Sequence, residues 1–195
     1  MIIDAHVHIF SPDSITDRER LTRLDRYFAS LYASPKARMA TADDLIQAMD
    51  EAGIDQAVVA GFGWCDHRIS GEHNAYLLES VRRYPGRLMG LAGANPCHPS
   101  EAGKVLADGL AAGLIGVGEL MPDGQGYRLG STDVQDFLAG VARVYGVPLL
   151  LHVSEPVGHL YPGKGTVALT EVLSFAPRHP DVTLVCAHWR GGLPF

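Results

Sequence analysis

Apolar runs recur along the chain, and each one ends in Gly, Pro or a polar residue. Six of them read as strands: 2–9 (IIDAHVHI), 54–61 (IDQAVVAG), 87–95 (RLMGLAGAN), 113–121 (GLIGVGELM), 147–154 (VPLLLHVS) and 182–188 (VTLVCAH). Most are apolar on both faces, the pattern of parallel strands covered by helices. Between them the period changes to that of a helix. TADDLIQAMDEAG has a capping Thr41, acids in its first turn, Leu45, Met49 and Ala52 at helical spacing, and a stop at Gly53. EHNAYLLESVRRYPG places Tyr76, Leu77, Val81 and Tyr84 on one side and ends at Pro85-Gly86. SEAGKVLADGLAAG, DVQDFLAGVARVYG and TVALTEVLSFAPRHP follow the same logic. Residues 16–33 also read as a helix, which makes the first connection long, a lid or wall over what the first strand presents.

Strand and helix therefore alternate throughout, which predicts an α/β fold with a parallel sheet. A doubly wound sheet of the nucleotide-binding kind is disfavoured, because no GxGxxG or Walker motif follows the first strand. The alternative is a (β/α)8 TIM-barrel type, with about six of its eight βα units present, since a full barrel takes roughly 250 residues and this chain has 195. The expectation is one domain over residues 1–195, incomplete as a barrel, with strands one and six left as edges. Natural proteins avoid such edges, so a longer parent chain or a homo-oligomer is expected to cover them.

Composition narrows the partners. With 47% hydrophobic and 19% charged residues, the chain can bury one sizeable core. A net charge of −6 argues against nucleic acid or an anionic membrane surface. No apolar run approaches the roughly 20 residues of a membrane span, and no signal-peptide pattern precedes the first strand. Cys65, Cys97 and Cys186 form no CxxC pair, which suits reduced thiols and a cytoplasmic setting. The expected partner is a small molecule.

The chemistry is written into the strand ends. Side chains alternate across a strand, so Asp4, His6 and His8 share one face while Ile3, Ala5, Val7 and Ile9 share the other. Two imidazoles on one face make a metal-ligand pair, neutral imidazole being the commonest protein ligand. His152 ends the fifth strand, His188 the sixth, and Glu119 the fourth. All strand C-termini of a parallel α/β protein open on one side, so four histidines and a carboxylate converge there. Such N/O ligands with an open position describe a catalytic site of the Zn²⁺ type. Asp4, deeper along the strand, would orient a ligand.

These residues, with the stretches ATADDLIQAMDEAGID, GFGWCDHR, GELMPDGQGY, HVSEPVGHLYPGKG and CAHWRGGLPF, resemble the amidohydrolase superfamily of metal-dependent hydrolases. The resemblance is nearest to its amidohydrolase 2 branch, which also contains decarboxylases, and covers essentially the whole chain. It implies a distorted (β/α)8 barrel holding one or two divalent ions, zinc first, with manganese or iron as alternatives. His6 and His8 would hold the more buried ion. His152 and His188 would hold a second, or one of them would bind a single ion while the other contacts substrate. Glu119 would be the bridging carboxylate, and Glu119, His152 and His188 would carry catalysis. The implied reaction is attack of metal-activated water on an amide, lactone or ester-type C–N or C–O bond. The alternatives are a metal-dependent non-oxidative decarboxylase, favoured by an arginine such as Arg68 or Arg190 at the mouth, and a metal-binding fragment without catalysis. Two departures stand out. The family's strand-eight aspartate, ligand and general base, has no counterpart here, so this chain alone is expected to be weakly active or inactive. Arg190 also stands where a third glycine is expected after His188.

Loops at the same mouth supply candidate substrate contacts: Trp64 and Arg68 after strand two, Asn95 after strand three, and His159, Tyr161 and Lys164 after strand five. Cys65, Asp66, His67, His98 and Glu155 lie in the same loops. Tyr27, Phe28 and Tyr32, at near-helical spacing, are expected to pack a lid.

Overall fold

The computed structural model describes residues 1–155 and 157–189. All six expected strands form: β1 (Ile3–Val7), β2 (Gln56–Ala60), β3 (Leu88–Leu91), β4 (Val117–Leu120), β5 (Leu149–Leu151) and β6 (Leu184–Cys186). Every strand pairing is parallel, in two three-stranded sheets ordered β1-β2-β3 and β4-β5-β6. The sheets join through an isolated bridge between Ala92 and Val117, so the strands follow one another in chain order, as in a barrel. No pairing joins β1 to β6 among the described residues.

The helices after the first connection match the sequence reading closely. They are α4 (Ala42–Ala52), α5 (His67–Arg83), α6 (Pro99–Ala112), α8 (Thr132–Tyr145) and α9 (Leu169–Arg178). Thr41 caps α4 in a reciprocal box with Asp44, and Gly53 closes it at φ 69°, a left-handed conformation. Three differences are local. α5 begins at His67, because the Asp66 carboxylate caps it by accepting from Ile69 N. A short α7 (Pro122–Gln125) follows β4. Residues 16–33 do not form one helix. The first connection holds α1 (Pro12–Thr16), α2 (Arg18–Leu24) and α3 (Arg26–Tyr32). The break before α3 falls at Asp25, whose extended backbone and buried carboxylate cap Phe28 N at 2.8 Å and accept from Cys65 N at 3.0 Å.

Three apolar clusters result among the described residues, the smallest being Ala60, Leu91, Leu150 and Ala187 on the strands or just beyond them. The main core fills the space between sheet and helices and includes Ile9, Met49, Val59, Leu77, Leu106, Leu120, Leu138 and Phe175. A second cluster, Phe10, Leu21, Phe28, Phe62, Trp64 and Ile69, seats the α1–α3 segment against the ends of β1 and β2. The expected lid is thus anchored by aromatic packing beside the strand C-termini.

Candidate metal centre

Glu119 ends β4 with only 2% of its surface exposed. Its position is set by glycine. Gly61 N donates to Gly118 O at 2.8 Å, and Glu119 N donates to Gly61 O at 2.7 Å, tying β2 directly to the end of β4. A β-carbon on Gly61 would stand 2.6 Å from Gly93 N, so only glycine permits this approach.

Four imidazoles surround that carboxylate. His6 Nε2 and His8 Nε2 lie 3.2 and 3.0 Å from Glu119 Oε2 and 3.3 Å from each other. His152 Nδ1 is 3.1 Å and His188 Nε2 3.6 Å from Oε1. Two ligand groups therefore share Glu119: His6 with His8, and His152 with His188. Separations of about 3.3 Å between donor atoms are what a ~2.1 Å metal–ligand bond gives in a tetrahedron. The donor set fits a divalent ion.

Hydrogen bonds behind the ligands aim their lone pairs. His8 Nδ1–H donates to Ala60 O at 3.2 Å, which leaves Nε2 facing the centre. His152 Nε2 pairs with Ser154 Oγ at 3.0 Å, and Ser154 Oγ accepts from Gly165 N at 2.8 Å, so His152 Nδ1 faces inward. His188 sits at φ 54°, an uncommon conformation for a non-glycine residue, and is half exposed at the rim. Asp4 accepts from the backbone N–H of His6 at 3.3 Å. Burial opposes charge on Glu119, yet the hydrogen bonds from His152, His188, His6 and His8 outweigh it and hold the carboxyl far below the usual carboxylate range. The Glu119 contact pushes His188 up against the opposing effect of burial.

The centre opens into a cavity of about 290 Å³. Its walls are Tyr27, Leu31, Tyr32, Phe62, Met121 and Tyr161, apolar and aromatic rather than cationic. Tyr27 Oη donates to Gly163 O at 3.2 Å, which ties α3 to the β5–α9 loop. Burial, and then the negative charge of Glu119, pushes the Tyr27 phenol well above its ordinary range, so it stays neutral.

The sequence pattern of the amidohydrolase family matches residues 3–194. The chain belongs to the amidohydrolase family. No curated protein matches this sequence. Several solved structures similar to this family member are decarboxylases. A 5-carboxyvanillate decarboxylase from Novosphingobium aromaticivorans, complexed with manganese and 4-hydroxy-3-methoxy-5-nitrobenzoic acid, matches with a TM-score of 0.78 at 19% identity, covering 100% of this chain and 66% of that one. A 2,6-dihydroxybenzoate decarboxylase from Rhizobium matches at TM-score 0.67 and 20% identity, over 99% of this chain and 68% of that one. A dihydroxybenzoic acid decarboxylase from Polaromonas with bound manganese matches at 0.65 and 18%, over 99% and 67%. The amidohydrolase-family chain described here thus has the TIM-barrel type of fold and spans about two-thirds of the length of these structures.

Within this family member, the five expected ligands come together and the loop candidates scatter. Of the six expected substrate contacts, Tyr161 lines the cavity. Trp64 is 1% exposed and donates from Nε1 to His73 Nδ1 at 2.9 Å. Arg68 pairs with Glu72 one helical turn on, at 2.7 Å, in solvent. Asn95 is buried, donating to Gln125 O at 3.1 Å and accepting from Cys97 N at 3.0 Å. His159 is exposed, edge-on to Tyr161. The Lys164 ammonium turns into its own loop, held by Val157 O, His159 O and Glu155. Arg190 lies outside the described residues. The sequence reading missed His73, which is buried between Phe10 and Trp64 and donates from Nε2 to Ile9 O at 2.8 Å. That bond fixes the chain one residue beyond the ligand His8. A histidine on a polar-looking helix carried no signal of it.

Proposed function

We propose that this chain provides most of the active site of a divalent-metal-dependent, non-oxidative decarboxylase acting on a hydroxylated aromatic carboxylate. The observation that carries this reading is the pairing of the Glu119–histidine centre with an aromatic-walled cavity. A flat ring can stack among Tyr27, Tyr32, Phe62 and Tyr161 while its oxygens reach the centre. The described lining offers no Lys or Arg, so the polar end of the substrate would be recognised at the centre itself. The similarity to decarboxylases, two of them with manganese, supports the same reading.

His6, His8, Glu119, His152 and His188 would hold the ion, which supplies Lewis-acid polarisation and orientation of substrate oxygens when bound. The chain's own groups do the rest. His8 and His152 are locked by Ala60 O and Ser154 Oγ, so the centre is built before substrate arrives. Tyr27, with its proton committed to Gly163 O, presents an acceptor oxygen beside the ring site. Were a single ion held without His188, its Nε2 at the rim would instead be placed to hold or move a proton at that atom.

A hydrolase of an amide, lactone or ester is the second reading. The sharing of Glu119 by two histidine pairs favours it, since such an arrangement suits a bridging carboxylate between two ions. Loading the purified protein with Mn²⁺ or Zn²⁺ separates the two. The decarboxylase reading expects metal-dependent binding of a hydroxylated nitrobenzoate and, from this chain alone, at most slow CO₂ release from the matching carboxylate. Lactone or amide hydrolysis without either result would transfer the assignment to the second reading.

A further inference from the structure

Two neighbouring loops at the mouth end of the strands carry ligand chemistry that the Glu119 centre does not use. The β2–α5 connection brings Cys65 and, at the first position of α5, His67. The β3–α6 connection brings Cys97 and, at the cap of α6, His98. None of the four lines the central cavity. We propose that Cys65, His67, Cys97 and His98 form a second metal site, of the Cys₂His₂ kind that takes Zn²⁺ or another thiophilic divalent ion.

The two loops bring the two imidazoles together and, separately, the two thiols. The His67 and His98 rings meet edge to face, with centroids 5.8 Å apart. Cys65 Sγ rests on Gly124 O at 3.2 Å, and Cys97 Sγ on Gln125 O and Gly126 O, each at 3.6 Å, so both thiols stand on successive carbonyls of one turn. Asn95 clamps the loops together: its amide donates to Cys65 O at 3.4 Å and its carbonyl accepts from Cys97 N.

A second observation points to a missing partner. Both ring nitrogens of His67 are buried without a hydrogen bond, and so is Tyr127 Oη. Burial first, and then the Cys97 thiol, pushes the Tyr127 phenol up. Orphaned polar atoms of this kind are costly and call for an explanation. Metal ligation would use a His67 nitrogen, and the Tyr127 hydroxyl could donate to a thiolate. Two borderline-soft thiolates and two imidazoles are the donor set of a closed tetrahedral zinc site.

Burial, and then the Asp25 carboxylate, pushes Cys65 up to about 11, and burial also raises Cys97. Both are therefore thiols at neutral pH, poor as nucleophiles. Binding would displace one proton from each sulfur and involve no electron transfer. Groups of three ligands already within coordinating reach occur, among the described residues, only around Glu119. Closing the second site would therefore require the exposed Cys65 and Cys97 side chains to leave those carbonyls and turn towards the imidazoles.

Co²⁺ is the probe, because the five residues of the Glu119 centre contain no sulfur. Cobalt loading should produce a thiolate-to-metal charge-transfer band, which Zn²⁺ abolishes by competition. The band should be lost in Cys65→Ser and in Cys97→Ser, while the metal content of the central site and the circular dichroism stay unchanged. Zn²⁺ should shield two of the three thiols from a thiol reagent, reversibly on chelation, with Cys186 as the internal reference. Absence of the band overturns the proposal. So does a band that survives both serine variants, which would come from Cys186. Loss of two thiols that reductant rather than a chelator restores would mean a disulfide, and also overturns it.

Discussion

Acid should weaken this fold through His73 in particular. The ring is buried, with Nδ1 accepting from Trp64 Nε1 and Nε2 donating to Ile9 O, so a second proton has no acceptor and would face the indole N–H. Burial lowers its pKa to about 4 from an ordinary 6.5, against the opposing pull of the Ile9 carbonyl and with a smaller contribution from His8. The sign follows directly. Between those two values the unfolded chain binds a proton that the folded chain refuses, so stability is full above 6.5 and falls as the pH drops towards 4. At about 1.4 kcal/mol per unit, the full difference is about 3 kcal/mol, of which about 2 kcal/mol is lost by about pH 5. Urea unfolding at about pH 7.5 and about pH 5 measures it. Carboxylates and the other histidines also titrate in this range, so the comparison is with His73→Gln, whose amide can accept from Trp64 and donate to Ile9 O without titrating. The parent should lose about 2 kcal/mol more than the variant across that interval. Parallel losses in the two proteins would refute the reasoning.

Glu119→Gln removes the carboxylate shared by both histidine pairs, and metal analysis after dialysis should show at least a tenfold fall in bound ion while circular dichroism is retained. Gly61→Ala would set a β-carbon 2.6 Å from Gly93 N; denaturant melts should show a loss of about 1–3 kcal/mol, with reduced metal content because Glu119 hangs from the same glycine. Tyr27→Phe removes the bond from α3 to Gly163 O; the expected cost is about 1 kcal/mol, and limited proteolysis should cut faster within residues 157–165.

The ligand set was legible because strand alternation and a shared strand end are consequences of backbone geometry alone. His6 and His8 had to point the same way, and Glu119, His152 and His188 had to reach the same mouth. The loop residues were not legible, since composition cannot say which way a loop side chain turns. Trp64 looked like a rim residue and is buried, because Phe10, Phe28, Phe62 and His73 offer it a pocket and a hydrogen-bond partner. Lys164 was expected to contact substrate and instead donates to the carbonyls of its own loop. The stretch 16–33 has helical periodicity, but Asp25 found better use as a cap than as a helix interior residue. Tyr27 and Tyr32 were expected in a lid, and the structure turns both into the cavity wall.

The two three-stranded sheets meet through the bridge at Ala92 and Val117, through the backbone bonds of Ala92 and of Ile115 to Gly90 O, and through those of Gly61, with one apolar core behind both. His6 lies on and His8 just beyond a strand of one sheet, while Glu119, His152 and His188 lie on or just beyond strands of the other. An ion at the centre would therefore rivet the two sheets together at the mouth end of their seam. By linkage, whatever tightens ion binding resists separation of the sheets, and whatever pries them apart expels the ion. Amide hydrogen exchange at Ala92, Gly118 and Glu119, with and without metal, would read the seam directly: protection there should rise with ion concentration, while the interiors of α5 and α8 change little.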